Sequence, residues 1–575
     1  MLGTIDITII VVYLVCLLYI GYKLSKENET QEDYFVAGRS MHWLPVALSI
    51  GATTISANGF IGAPGWAYGS GMTAFMLNFS VPLVLALVLS VFLPFLYNLK
   101  VTSCYEYIER RLGPISRTLS ALGFFSTSII QLSSMVYIPA LILQKFTGWS
   151  INAIIPITVV IVVIYTLHGG LKAVIWTDAI QMAILWIGLL VIVFIAFKSL
   201  NVGFFDAISA AKDSGKLEAL DFSLDLTLEN GVWVALFGGT SMWLQYYTTD
   251  QSQTQRMFAS KSIKALKTSI LSSGIIMNVI YFTFMVVGVL TFLYYDGKNF
   301  ATSNDVMIDF IQNKMPVGIL GLVIIAIFSA AMSSMSGFLN SMSTVFIKDI
   351  YERFISKNQE KASLKVSMLF TGVIGVIVIF VTIAAFSGTT ASILAVVGNY
   401  LSYFAGSILA VFLLAMFTKT ANDKGTSIGF VLGIIVTTYI GKTTELNWLW
   451  YSLVGVTVAF VTGYFISRML KENLKENIEE YTLMGQRAKL IRENNTMEEN
   501  VSILPGSFDR YFYILIGFFF FQFIVLALMG TTASWFWYSL VGLVMVVIVG
   551  YLISRIIKTP SKKKIEELNS SAEKI

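Results

Sequence analysis

Cysteine is almost missing from this chain. Cys16 and Cys104 are the two in 575 residues, one inside a long apolar run and one in a polar connecting stretch. That spacing supports neither a disulfide framework nor a cysteine metal motif. Histidine is as scarce. His42 and His168 fall in or near connecting segments, neither stands in a nucleophile–base arrangement, and no cofactor motif appears, which argues against an enzyme and gives no reason to expect a cofactor. Charge is thin too: 13% of residues are charged, against about 25% in soluble domains. With 56% hydrophobic residues and a mean hydropathy of +0.74, a soluble globular chain is excluded. What remains is an all-α polytopic membrane protein. The net charge of +5 is modest, and its basic residues gather between the apolar runs, where they report orientation in a bilayer instead of nucleic-acid binding.

Runs of about 20 apolar residues, the length that crosses a hydrocarbon core of about 30 Å, recur along the chain. They predict about 15 spans, near 5–24, 43–69, 73–98, 118–145, 150–168, 173–197, 231–249, 267–294, 316–345, 364–387, 390–417, 424–441, 446–469, 510–529 and 534–557. The first run, MLGTIDITIIVVYLVCLLYIGYKL, has no basic residue before it and no small-residue cleavage site, so it reads as a retained helix whose N-terminus lies outside. That choice sends the basic stretches CYEYIERRLGPISR, QRMFASKSIKALK and KDIYERFISKNQEKASLK to the cytoplasm. Segments 199–230 and 295–315 then lie outside, and the lysine-rich tail 559–575 inside. The cytoplasmic stretch 472–508 contains KENLKENIEEY, which reads as a short surface helix.

One span is written twice. WLWYSLVGVTVAFVTGYFISRMLK occupies 448–471 and WFWYSLVGLVMVVIVGYLISRIIK occupies 535–558. Both begin in aromatics suited to the headgroup boundary and end in Arg/Lys suited to the cytoplasmic side. As thirteenth and fifteenth spans they face the same way, and shared YSLVG at one relative position points to duplication.

Function is sought where a span carries residues that hydrocarbon does not favour. FSAAMSSMSGFLNSMSTVFIKDIY, 328–351, is rich in Ser, Ala and Gly, a composition that serves close helix packing as well as ion binding. SIGATTISANGFIGAPGWAYG, 49–69, puts Asn58, Gly59, Gly62, Pro64 and Gly65 inside one span. Such an interrupted helix frees carbonyls that must line a site, and beside a serine-rich helix it suits a hard cation such as Na+. Asp178, in GGLKAVIWTDAIQMAILW, is costly in a span unless paired, solvated or ion-bound, or else it caps the helix start. MWLQYYTTDQSQTQRMFASKS carries aromatic and amide groups toward a basic end, either as a site wall or as an interfacial helix end.

Taken together, YFVAGRS, ATTISANGFIG, GGLKAVIWTDAIQ, TDQSQTQR and SAAMSSMSGFLNSMSTVFIKDIY, in that order, resemble the sodium/solute symporter family of sodium-glucose, proline and sialic-acid cotransporters. The resemblance implies a LeuT-like core of two inverted five-helix repeats, 43–198 and 228–418. A first helix within 1–30 precedes them, and four peripheral helices over 424–558 follow, including both copies of the repeated segment, which the resemblance places outside solute binding. It implies Na+ bound by main-chain oxygens of Ala52, Ile55 and Ala330 and hydroxyls of Ser333 and Ser334. A second cation site would join Asp178 to Ser333 and Ser336, with Gly337 where such members carry another serine. Tyr246 matches a gating tyrosine of the sugar-transporting branch. Trp243 replaces a sugar-binding amide there, and Asn58-Gly59 an acidic–amide pair, so a hexose is not implied. Asn58, Phe60, Asn78, Gln245 and Asn399 are the remaining candidates for the solute pocket.

The expected function is sodium-coupled import of a small polar organic solute, such as a sugar, sialic acid or a carboxylate, by alternating access across the cell membrane. Membrane lipid is the other expected partner, and the sequence carries no signal for an oligomeric state. A sensor or scaffold built on a transporter-like core stands as the alternative. A channel ranks below it, and Asp178 leaves proton use open.

Overall fold

The computed structural model describes residues 3–25, 31–356, 364–386, 393–470, 478–486 and 509–530. Among them eleven helices are long and apolar enough to cross a membrane, and the secondary structure is helical apart from one isolated bridge between Met41 and Ser260. The expected spans through 510–529 are wholly or mostly helical. The span 534–557, and with it the second copy of the repeated segment, falls outside the described residues.

Helix α1, Thr4–Ser25, lies against two long helices met later in the chain. The second span is two helices, α2 (Trp43–Thr54) and α3 (Ala57–Ser70). Between them Ile55 leaves helical geometry at φ −91°, ψ 84°, and Ser56 is extended. The third is a helical run, α4, over 76–98 with a π-helical turn at Val88–Phe92. Cys104, expected in a loop, begins a short helix, α5 (Cys104–Arg111), capped by the Ser103 hydroxyl accepting from Tyr105 N–H. Helix α6 is Pro114–Thr147.

The fifth and sixth spans run as one element, α7 (Ile151–Ser199), folded at Gly170. There φ is +56° and ψ −173°, a region open to glycine and closed to residues with a Cβ. The stretch 199–230, expected outside, holds α8 (Phe204–Asp213). The seventh span is a π-helical turn at Val234–Gly239 continuing into α9 (Thr240–Thr249). Asp250, at φ −83°, ψ 120°, ends α9 and caps α10 (Gln251–Phe258).

Then come α11 (Ile263–Tyr295), α12 (Ser303–Lys314) within the expected loop 295–315, and α13 (Ile319–Val345), which runs into a π-helical stretch to Ile355. The remaining helices are α14 (Leu364–Phe386), α15 (Ile393–Phe417), α16 (Asp423–Thr443), α17 (Trp448–Leu470) and α18 (Arg510–Met529). Where KENLKENIEEY predicts a surface helix, the described part holds one 3-10 turn, Ile478–Tyr481.

Helix α13 is the hub, packed on α7, α6, α1 and α2, and nearly every residue from Leu320 to Val345 is buried. A helix buried all round cannot rely on amphipathic segregation, so its serines bond to backbone carbonyls: Ser341 to Gly337 and Ser343 to Ser367. Asp6 of α1 is buried and accepts from Gly318 N–H at 2.7 Å and Gly321 N–H at 2.8 Å. A carboxylate is thereby placed at the N-terminal end of α13, where the helix dipole favours it. At the end expected to face the cytoplasm, Arg117 meets Glu109 and Asp349, and Arg353 meets Glu109 at 2.9 Å. These pairs join α5, α6 and the extension of α13.

Candidate functional site

The break in α2/α3 sits directly against α13. The last carbonyls of any α-helix have no partner within it, and here two of those freed by the break find one across the interface. Ser334 Oγ lies 3.3 Å from Ala52 O, 3.1 Å from Thr53 O and 3.1 Å from Ala330 O. Ser333 Oγ lies 3.1 Å from Ala52 O and 3.3 Å from Ala330 O. Four of the five residues expected to hold Na+ therefore converge on one buried point, and Ile55 is the next residue but two after Ala52, at the break itself. A hydroxyl within hydrogen-bond reach of several carbonyls is also a hydroxyl beside a cluster of oxygens. Oxygens of this kind, neutral and fixed by backbone, suit a hard monovalent cation.

Asp178 is arranged differently. It is fully buried, and its Oδ2 accepts from Ser49 Oγ at 2.6 Å and from Arg256 Nη2 at 3.1 Å. Arg256, also fully buried, donates from Nε to Ser49 Oγ at 2.9 Å and from Nη1 to Ser252 O at 2.5 Å. Ser336 Oγ donates within its own helix to Ser333 O at 3.0 Å. Thus Asp178 meets Arg256 and Ser49, and not Ser333 or Ser336. Gly337 explains how the guanidinium fits. A Cβ at that position would stand 2.0 Å from Arg256 Nη2 and 2.8 Å from its Cζ, so any side chain there would displace the arginine.

Next to the break lies a cavity of about 140 Å³. Thr54, Ser56, Asn58 and Gly59 form one side, Thr127, Gln131 and Met135 of α6 a second, and Gln245, Tyr246 and Asp250 at the end of α9 a third. Trp243, Tyr281 of α11 and Gly398 of α15 complete much of the wall. Asn58 Nδ2 donates to Ser134 Oγ at 2.7 Å, and Gln253 Nε2 donates to Tyr246 Oη at 2.7 Å. Of the residues expected in the pocket, Asn58, Gln245 and Tyr246 line it.

Phe60, Asn78 and Asn399 are not among the lining residues. Phe60 is buried edge-on against Phe284 with ring centroids 5.5 Å apart. Asn78 is buried in α4, and Asn399 is half-buried beside Gly398. Trp448 corrects a further expectation: the first residue of the repeated segment lines the cavity and donates from Nε1 to Glu229 Oε1 at 2.8 Å. That copy is not wholly peripheral. Gln131 and Asp250 escaped the sequence reading because each sits at a helix position that packing or capping explains equally well.

The sequence profile of the sodium:solute symporter family matches residues 34–433. The chain belongs to that family. It is therefore a sodium-coupled solute symporter and an integral multi-pass membrane protein, not an enzyme. Among characterised relatives, the sodium/sialic acid symporter NanT of Aliivibrio fischeri is 28% identical over 83% of this chain and 95% of its own length. The sodium/sialic acid symporter SiaT of Proteus mirabilis is 29% identical over 80% and 94%. A solved structure described as the substrate-bound outward-open state of a Na+-coupled sialic acid symporter, with a novel Na+ site, superposes with a TM-score of 0.75. It is 28% identical and covers 82% of this chain and 99% of that one. The all-helical, LeuT-like architecture follows from these likenesses.

Proposed function

We propose that one Na+ binds between the α2/α3 break and α13, held by the main-chain oxygens of Ala52, Ile55 and Ala330 and the hydroxyls of Ser333 and Ser334, and drives a small polar organic solute held in the adjoining cavity. The observation that carries this reading is the convergence of two adjacent serine hydroxyls on carbonyls that the helix break has released. Na+ there bridges two elements that must separate when the transporter changes sides, so its binding energy favours the arrangement in which they touch. Asn58 and Ser56, immediately past the break, line the cavity, which gives the ion a direct mechanical route to the solute.

The second cation position, at Asp178, is filled by Arg256. Asp178 and Arg256 neutralise one another, and Gly337 leaves space for the guanidinium instead of contributing a hydroxyl. The coupling ratio that follows is one Na+ per solute. The units that move are the two five-helix repeats, 43–198 and 228–418, rocking about the cavity. A membrane potential of 100 mV adds about 2.3 kcal/mol per charge carried.

Uptake into proteoliposomes tests the reading. Sugars, sialic acid, amino acids and carboxylates are offered with and without an inward Na+ gradient, to wild type and to Ser334→Ala. Sodium-driven accumulation of one compound, lost in the variant, is expected. Accumulation that ignores Ser334→Ala would remove the ion from this place.

A further inference from the structure

The cavity is unusual in its charge. Among its described lining residues there is no lysine, arginine or histidine, and there is one carboxylate, Asp250. Among the described residues, the buried cationic side chains are all committed elsewhere. Arg256 pairs with Asp178 and Lys267 with Asp509, Arg117 pairs with Glu109 and Asp349, and Arg111 donates to the Ala421 and Thr418 carbonyls.

Asp250 is 5% exposed. Its Oδ1 accepts from Ser252 N–H at 2.8 Å and Ser252 Oγ at 2.5 Å, and no cation lies within ion-pair distance of it among the described residues. A carboxylate has about four acceptor positions, of which Ser252 uses two. A second acceptor at the cavity wall is also open: Asn58 Oδ1 is buried and has no donor among the described residues. Buried acceptors without donors are costly. A solute that brings donors relieves that cost, whereas a solute carboxylate would add like charge and more acceptors.

We propose that Asp250 sets the charge selectivity of the solute cavity, which admits a neutral, hydroxyl-rich solute that donates to Asp250 and Asn58 and rejects carboxylate-bearing ones. This rests on the assignment of the cavity as the solute site. It separates this chain from the relatives named for sialic acid, an acidic sugar. The aromatic side chains of Trp243, Tyr246, Tyr281 and Trp448 in the same wall offer flat apolar faces for the C–H faces of a polyol ring, so the site has both parts that such a ligand needs.

The test is thermal stabilisation of the purified full chain in detergent, with and without Na+, by three panels: neutral hexoses and polyols, acidic sugars and monocarboxylates, and primary amines. A neutral member is expected to raise the unfolding temperature in a sodium-dependent way. Its affinity is expected to fall about ten-fold or more in Asp250→Asn, as for loss of a hydrogen bond to a charged group, with Asn58→Ala as a second variant should Asp250→Asn fail to fold. Stabilisation by a carboxylate, by amines alone, or by no member of any panel would overturn the proposal. Sodium-dependent stabilisation by a carboxylate would do so while leaving the sodium-symport reading standing. Solute stabilisation indifferent to Na+ would instead strike the proposed coupling, leaving the charge preference legible.

Discussion

Two positions one helical turn apart on α13 handle positive charge in opposite ways. At Ser333 and Ser334 the helix offers hydroxyls to freed carbonyls, a nest of neutral oxygens with no formal charge. Four residues on from Ser333, at Gly337, it offers nothing, and the space is taken by a guanidinium tied to Asp178. A site of neutral oxygens can release its cation when the helices part, because no charge is left stranded. A site closed by a buried ion pair cannot release its cation at all, since arginine is covalently attached and a lone buried carboxylate is costly. On the proposed reading, the first position is where coupling happens and the second is a fixed strut.

The comparison breaks most readily at the ion pair. Asp178→Ala leaves Arg256 buried and unpaired, and is expected to cost about 3–5 kcal/mol of stability, read from thermal or denaturant unfolding in detergent. Replacing both partners, as Asp178→Leu with Arg256→Met, should recover most of that loss. A single variant as stable as wild type would mean that the pair is not closed.

A smaller loss is expected from Gly337→Ala. One methyl group must push against the guanidinium, and overpacking of this kind costs about 1–3 kcal/mol. Unchanged unfolding would show that Arg256 is free to move away. Ser334→Ala acts on the other position. It removes the hydroxyl proposed to face the ion and should weaken Na+ about ten-fold, measured as the sodium concentration giving half-maximal stabilisation. About 1 kcal/mol of sodium-free stability should be lost as well, as the Ala52 and Thr53 carbonyls lose a donor.

The smallest effect concerns Cys104. Its thiol is buried, donates to Thr249 O at 3.4 Å, and is pushed by that burial well above the usual cysteine range. In a Cys16→Ser background, maleimide labelling should be slow, and faster under conditions that open the end of the molecule where α5 meets the α9–α10 junction. Rapid labelling in every condition would show that this end is never sealed.

Much of this was legible in residues whose physics is local. Apolar runs of span length gave the helices, because a bilayer leaves backbone groups little alternative to helix. The Gly/Pro-rich stretch 49–69 announced a break, but the chain breaks at Ile55 and Ser56, ahead of Asn58, Gly59, Gly62, Pro64 and Gly65, which are all helical in α3. The serines of α13 gave the partner. What stayed hidden depends on three-dimensional company. Arg256 reads as a basic helix end until Gly337, 81 positions later in the chain, is seen to make space for it. Asp250 reads as a helix cap, which it is, and only the cavity gives its other oxygen a meaning. Phe60, close to the break in sequence, packs on Phe284 of α11, and Asn78, a polar residue on a central helix, is buried in α4 without lining the cavity. Trp448 was assigned to the lipid boundary with its twin at 535, and the bundle draws it inward to the cavity.

The most direct test of the central claim counts the ions. Equilibrium binding of radioactive Na+ to the purified chain, titrated to saturation and repeated with Ser334→Ala, measures sites per molecule without knowledge of the solute. One Na+ per chain, weakened in the variant, is the predicted result. Two Na+ per chain, with the second lost on substituting Asp178, would contradict it and return the Asp178 position to the role of a second ion site.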